Sequence, residues 1–133
     1  MRGEAMERAG QAKEAVDLYV RAAVAEEDAH RPVRARLLWE QVGQRTGPSG
    51  MLLERLAVVC GRAHHDEDAF HYWVAAAARF HGEGRATDSD RARSHATSLK
   101  KRMRVAPAGR EKLPLVVDVL RAESAAVRDL IDS

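Results

Sequence analysis

The feature that most constrains this chain is internal. Residues 19–45 align on residues 53–79 without a gap, at an offset of 34, and eight of the 27 pairs are identical. They are Arg21/Arg55, Ala23/Ala57, Val24/Val58, Ala29/Ala63, His30/His64, Ala35/Ala69, Trp39/Trp73 and Arg45/Arg79. A period of this size implies a unit of two short elements that cannot bury its own apolar face and must stack on a neighbour. Composition says which elements. The 133 residues include 24 Ala but only six aromatics. Ala favours helix, whereas strands want β-branched and aromatic side chains. The expectation is an all-α domain.

Apolar spacing places the helices. A short one is predicted over 4–9, stopped by Gly10, and a second over 13–29. The third opens at Pro32 and carries Ala35, Leu38, Trp39 and Val42 at i, i+3, i+4, i+7. Thr46-Gly47-Pro48-Ser49-Gly50 breaks the chain. Helices over 51–62 and 66–80 follow, and Gly82 and Gly84 end the latter. Thr87 with Asp90 resembles an N-cap for a helix over 87–103. Residues 104–112, with Pro107 and Gly109, read as a linker between a repeat domain at 1–103 and a terminal helix within 113–133. That helix opens at Pro114 and carries Val116, Val119, Leu120, Val127, Leu130 and Ile131.

About residues 10–80 resemble tetratricopeptide repeats. The first helix of the second unit shows Leu53, Leu56, Ala57 and Cys60, and its second helix shows Ala69, Trp73 and Ala76. The earlier unit shows Tyr19, Ala22, Ala23, then Ala35, Trp39 and Val42. Small residues let helices approach closely, and the aromatic fills the space beside them. Gly10, Ala15, Tyr19 and Ala22 also fit the turn and second helix of a preceding unit. The departures are Glu26 at an apolar position, His30 and His64 where Gly is usual, and Pro48 one residue late. A helical bundle with an accidental period is the alternative.

The resemblance implies antiparallel helix pairs in a short right-handed solenoid, capped by the C-terminal helix, with a concave groove that holds a segment of another protein. Its groove positions fall on Val20, Val24, Glu27 and Asp28, on Glu54, Val58 and Arg62, and on Asp88 and His95. Asp17, Met51 and Ala92 border them. This set suits a partner with an apolar stripe and some basic residues. It does not suit the clamp that grips a terminal carboxylate with paired Lys and Asn, because the chain has no Asn. The terminal helix could instead occupy the groove or mediate self-association.

The net charge is +2, but residues 85–112 alone carry nine basic and three acidic groups. Arg91, Arg93, Lys100, Lys101, Arg102 and Arg104 could neutralise phosphates, which gives a second reading, a nucleic-acid-associated regulator. No aromatic residue interleaves them, which argues against it. His64, Asp68 and His71 lie at i, i+4, i+7 and could share a metal on one helical face. The His65-Asp66 dyad is similar to that of metal-dependent phosphohydrolases, but only His30 and Asp118 could complete it, and nothing around them supports that. Acids opening a helix favour its dipole, so no metal and no cofactor is assigned. Lone Cys60 falls on a core face and forms no disulfide. There is no phosphate loop or nucleophile motif, so no enzyme is expected. No signal-like or membrane-spanning apolar run is visible, and a cytoplasmic protein is expected.

Overall fold

A computed structural model describes the backbone of residues 2–103 and 112–122, with side chains from residue 8 onward, Leu120 excepted. Among these residues there are six α-helices and no strand. They are α1 (Arg2–Asp28), α2 (Pro32–Thr46), α3 (Gly50–Arg62), α4 (Asp66–Gly82), α5 (Ala86–Arg102) and α6 (Pro114–Ala122). Arg104 and the apolar residues Val127, Leu130 and Ile131 lie outside the described residues. No described helix is long and apolar enough to cross a membrane.

Two expected boundaries are corrected. The short helix over 4–9 and the one over 13–29 are a single helix, α1, which runs straight through Gly10. An exposed Gly costs a helix about 1 kcal/mol, too little to break it when Gln, Ala, Lys and Glu follow. Thr87 is not the cap of α5. That position is Arg85, and Thr87 lies inside the helix.

The reason is a turn used three times. After α1, the N–H of His30 donates to the Glu27 carbonyl at 3.0 Å and that of Arg31 to Glu26 at 2.9 Å. After α3, His64 donates to Gly61 at 3.2 Å and His65 to Cys60 at 2.8 Å. After α4, Gly84 donates to His81 at 3.0 Å and Arg85 to Phe80 at 2.8 Å. This paired 6→1 and 5→2 bonding is a Schellman cap, and it needs a left-handed residue. His30, His64 and Gly84 supply it, with φ of 57°, 61° and 76°. The histidines are therefore backbone pivots. The next residue is the N-cap of the following helix, so each pair of helices folds back tightly. The α2–α3 link differs. Gly47 has φ of 84°, and Ser49 caps α3 by accepting from the Leu52 N–H at 3.2 Å.

Helix α4 is the centre. Residues 69–78 are all buried, and Phe80 with them. It packs against α3, α5 and α6, while α1 packs on α2 and α2 on α3. A helix buried on every side needs small residues where neighbours cross closely. Ala69, Ala75, Ala76, Ala77 and Ala78 provide them. Buried Ser89 of α5 donates its hydroxyl to the Ala77 carbonyl at 2.8 Å, which satisfies a polar group at the crossing. The aligned pairs Ala23/Ala57, Ala35/Ala69 and Trp39/Trp73 are buried alike.

Helix α6 lays Leu115, Val116 and Val119 into the core, with Leu113 just before it, and Leu115 sits over Gly43 of α2. Its described apolar stripe is thus used within the chain. Gly50 allows another close approach. A Cβ there would lie 2.4 Å from the buried Phe80 ring and 2.8 Å from Glu83. Gly50→Ala should therefore destabilise by about 1–2 kcal/mol in urea unfolding, because ring overlap outweighs the helical gain of Ala. A stabilised variant would contradict this packing.

Candidate functional site

Ion pairs bring α1, α3 and α5 alongside one another. Glu27 of α1 faces Arg55 and Arg62 of α3, both at 3.6 Å. Glu54 of α3 meets Arg91 of α5 at 2.7 Å. These contacts join α1, α3 and α5 into one face. On α3 the outward stripe is Met51, Arg55, Val58 and Arg62, at spacings of four, three and four.

Glu27 is the best-engaged carboxylate of this face. Its side chain accepts from the Trp39 indole N–H at 2.8 Å, and the Arg55 guanidinium lies over the Trp39 ring, 5.8 Å from its centre. One half-buried acid thus joins α1, α2 and α3. Asp88 is bound by Arg85 and Arg91, each at 2.7 Å. The hydrogen bond from Arg91 is the chief cause that holds the Asp88 carboxyl below its usual range.

Two clefts open beside these struts. The larger, of about 610 Å³, has Val20, Met51, Trp39, Val42 and Phe80 among its walls. Arg55, Arg85, Arg91 and Glu54 line it as well. Met51 is 63% exposed, and Val24, also exposed, lies one helical turn from Val20. The second cleft, of about 470 Å³, separates α3 from α5 and includes Val58, Trp73, His95 and Ser98, with Arg62 and Arg102. Here the His95 ring stacks on Trp73, with centroids 4.3 Å apart and planes 13° apart.

The groove residues expected from sequence divide accordingly. Val20, Glu54, Val58, Arg62 and His95 line one or other cleft, and Glu27 is a strut. Val24 and Asp28 are exposed on α1, and Asp88 is tied to its own helix and to Arg85. Arg55 and Arg85 were not among them. The four- and three-residue spacing of α3 could have indicated Arg55. Arg85 shows only once its helix start is placed correctly.

The basic residues do not form one patch. Arg91 and Arg102, eleven residues apart, share the face that carries His95. Arg93 and Lys100, seven apart, lie about half a turn away around the helix. Lys101 is exposed between these two sets, and Arg104 is outside the described residues.

A separate polar cluster ties α2 to α4. Arg36 donates to Glu40 at 2.8 Å, pairs with Asp68 at 2.8 Å and lies 2.8 Å from His65 Nδ1. Arg can only donate, so that His65 nitrogen accepts. Asp68 is thereby occupied, His71 is buried in α4, and His64 is an exposed pivot. The three residues considered for a metal do not converge, and no group of three potential ligands does so among the described residues. Burial pushes the Cys60 thiol up to about 12, so its nucleophilic form is suppressed.

Comparison with protein-family models, with curated proteins and with solved structures returned no match. The geometry itself is testable. Glu27→Ala leaves the Trp39 N–H without its acceptor and should cost about 2–3 kcal/mol in urea unfolding. Glu27→Gln, which keeps an acceptor, should cost less. A loss below about 0.5 kcal/mol for the Ala variant would place Glu27 among ordinary surface pairs.

Proposed function

We propose that this chain is a non-catalytic interaction domain that holds an extended or helical segment of a partner protein across the α1–α3–α5 face. In this reading α1 to α5 form a short tetratricopeptide-like solenoid, and α6 is its cap. The carrying observation is the apolar cleft of about 610 Å³ between Val20 and Met51, with Met51 left exposed at its mouth. An unburied large apolar side chain at an apolar cavity is what a binding surface needs. The repeated turn supports the solenoid, because the same cap ends α1 and α3 at the same offset as the sequence repeat.

The nucleic-acid reading draws less support, since Arg93 and Lys100 diverge from Arg91 and Arg102. Catalysis draws none from Cys60, which is buried and protonated, or from His30, His64, His71 and His95, which serve turns, packing and stacking.

The test is capture of partners from lysate by the full chain at low and high salt, beside Val24→Arg combined with Met51→Arg. Both side chains are exposed, so helicity should be unchanged by circular dichroism. A discrete protein held by the wild type at high salt and lost with the double variant is the expected result. Equal retention by both would remove this face from the mechanism.

A further inference from the structure

The ion pairs of the α1–α3–α5 face share an orientation. The Glu27 side chain is 7% exposed, whereas its partners Arg55 and Arg62 are 48% and 59% exposed. Glu54 is 24% exposed and Arg91 46%. Asp88 repeats the pattern under Arg85 and Arg91. Carboxylates lie inside and guanidiniums outside, so an approaching molecule meets the positive end of each pair. A guanidinium has five N–H donors, and these pairs leave outer ones for a ligand. Arg102 adds a further guanidinium at the second cleft.

Acids border this half as well: Glu83, which accepts from the Gly50 N–H at 3.3 Å, lies beside Phe80 at the edge of the larger cleft, and Asp90 is exposed on α5. Asp17 and Asp28 are on the α1 margin, and Asp66 lies at the α3–α4 end of the second cleft. On this face the exposed arginines are gathered on the α3–α5 half, beside the apolar cleft.

We infer that the segment held on this face is acidic: a bulky apolar side chain enters the cleft between Val20 and Met51, and flanking Asp or Glu side chains meet Arg55, Arg62, Arg85, Arg91 and Arg102. The inference rests on the interaction-domain reading and specifies the partner's chemistry. It differs from the basic partner expected from the sequence, because three of the groove acids, Glu27, Glu54 and Asp88, are paired with arginines of the fold. Carboxylates on a short segment fit better than a phosphate backbone. An apolar cleft is central to the face, and Arg93 and Lys100 of α5 lie about half a turn away from it.

The test uses three labelled peptides about 16 residues long, some four helical turns, built of Leu and Ala and differing only in Glu, Gln or Lys. Affinity is read by anisotropy against the full chain. Contact is read from the indole N–H signals of the two tryptophans, one in each cleft wall. The Glu peptide should bind about tenfold or more tightly than the Gln peptide, with the Lys peptide weaker still and the gap closing as salt rises. It should shift the Trp39 signal. Arg62→Gln with Arg102→Gln, both exposed positions, should weaken the Glu peptide by about threefold or more, and by a larger factor than the Gln peptide.

Equal binding of the Glu and Gln peptides, or tighter binding of the Lys peptide, with Trp39 still shifting, overturns the acidic inference and leaves the segment-binding face standing. If no peptide moves either tryptophan, both fail. An oligothymidylate that binds more tightly than the Glu peptide and is weakened by the same double variant overturns the inference in favour of nucleic acid.

Discussion

The placement of α3, α5 and α6 depends on the burial of α4. A helix enclosed on all sides can exist only if its neighbours come close without leaving voids, and five alanines set that distance. Trp73, Phe70 and Phe80 then fill the wider spaces between crossings. α3 and α5 lie on either side of α4, and α6 packs against it as well. The three Schellman turns make this geometry accessible, because each reverses the chain with a single left-handed residue. Placing His in two of those pivots accepts a backbone cost that Gly avoids at the third.

From that arrangement the α1–α3–α5 face follows. The outward stripe of α3 lies between α1 and α5, and the long side chains of Arg55, Arg62 and Arg91 reach across to acids on the neighbouring helix. Arg reaches farther than Glu, so its head group stays in solvent while the shorter carboxylate is covered. The face is thereby cross-linked and given its outward sign by the same contacts. Glu27 contributes most, since it also holds the Trp39 indole that walls the apolar cleft.

Much of the fold was legible in sequence, and the physical reason is periodicity. Leu53, Leu56, Ala57 and Cys60, and likewise Ala69, Trp73 and Ala76, show their burial by spacing alone. Punctuation was less dependable. Gly10 reads as a stop, but Gly ends a helix only where a left-handed residue is needed, and α1 continues there. Thr87 reads as a cap, but the Schellman turn at Gly84 starts α5 before it can serve. The candidate face was legible as a set of positions, since Val20, Glu54, Val58 and Arg62 do line its clefts. Its charge was not. Whether Glu27 points at a partner or at Trp39 depends on a contact twelve residues away, which no local pattern encodes. The same holds for Glu54 and Arg91, 37 residues apart.

In this fold α4 is the keystone and the face is built outward from it. Native-state hydrogen exchange, resolved by residue, tests it most directly. The account predicts the slowest exchange in α4, between about residues 70 and 79, at the rate of global unfolding. It predicts exchange orders of magnitude faster in α1 over residues 8–14, whose side chains are all exposed. Protection in α4 no greater than in α1, or α4 amides that open before those of α2 and α6, would contradict it.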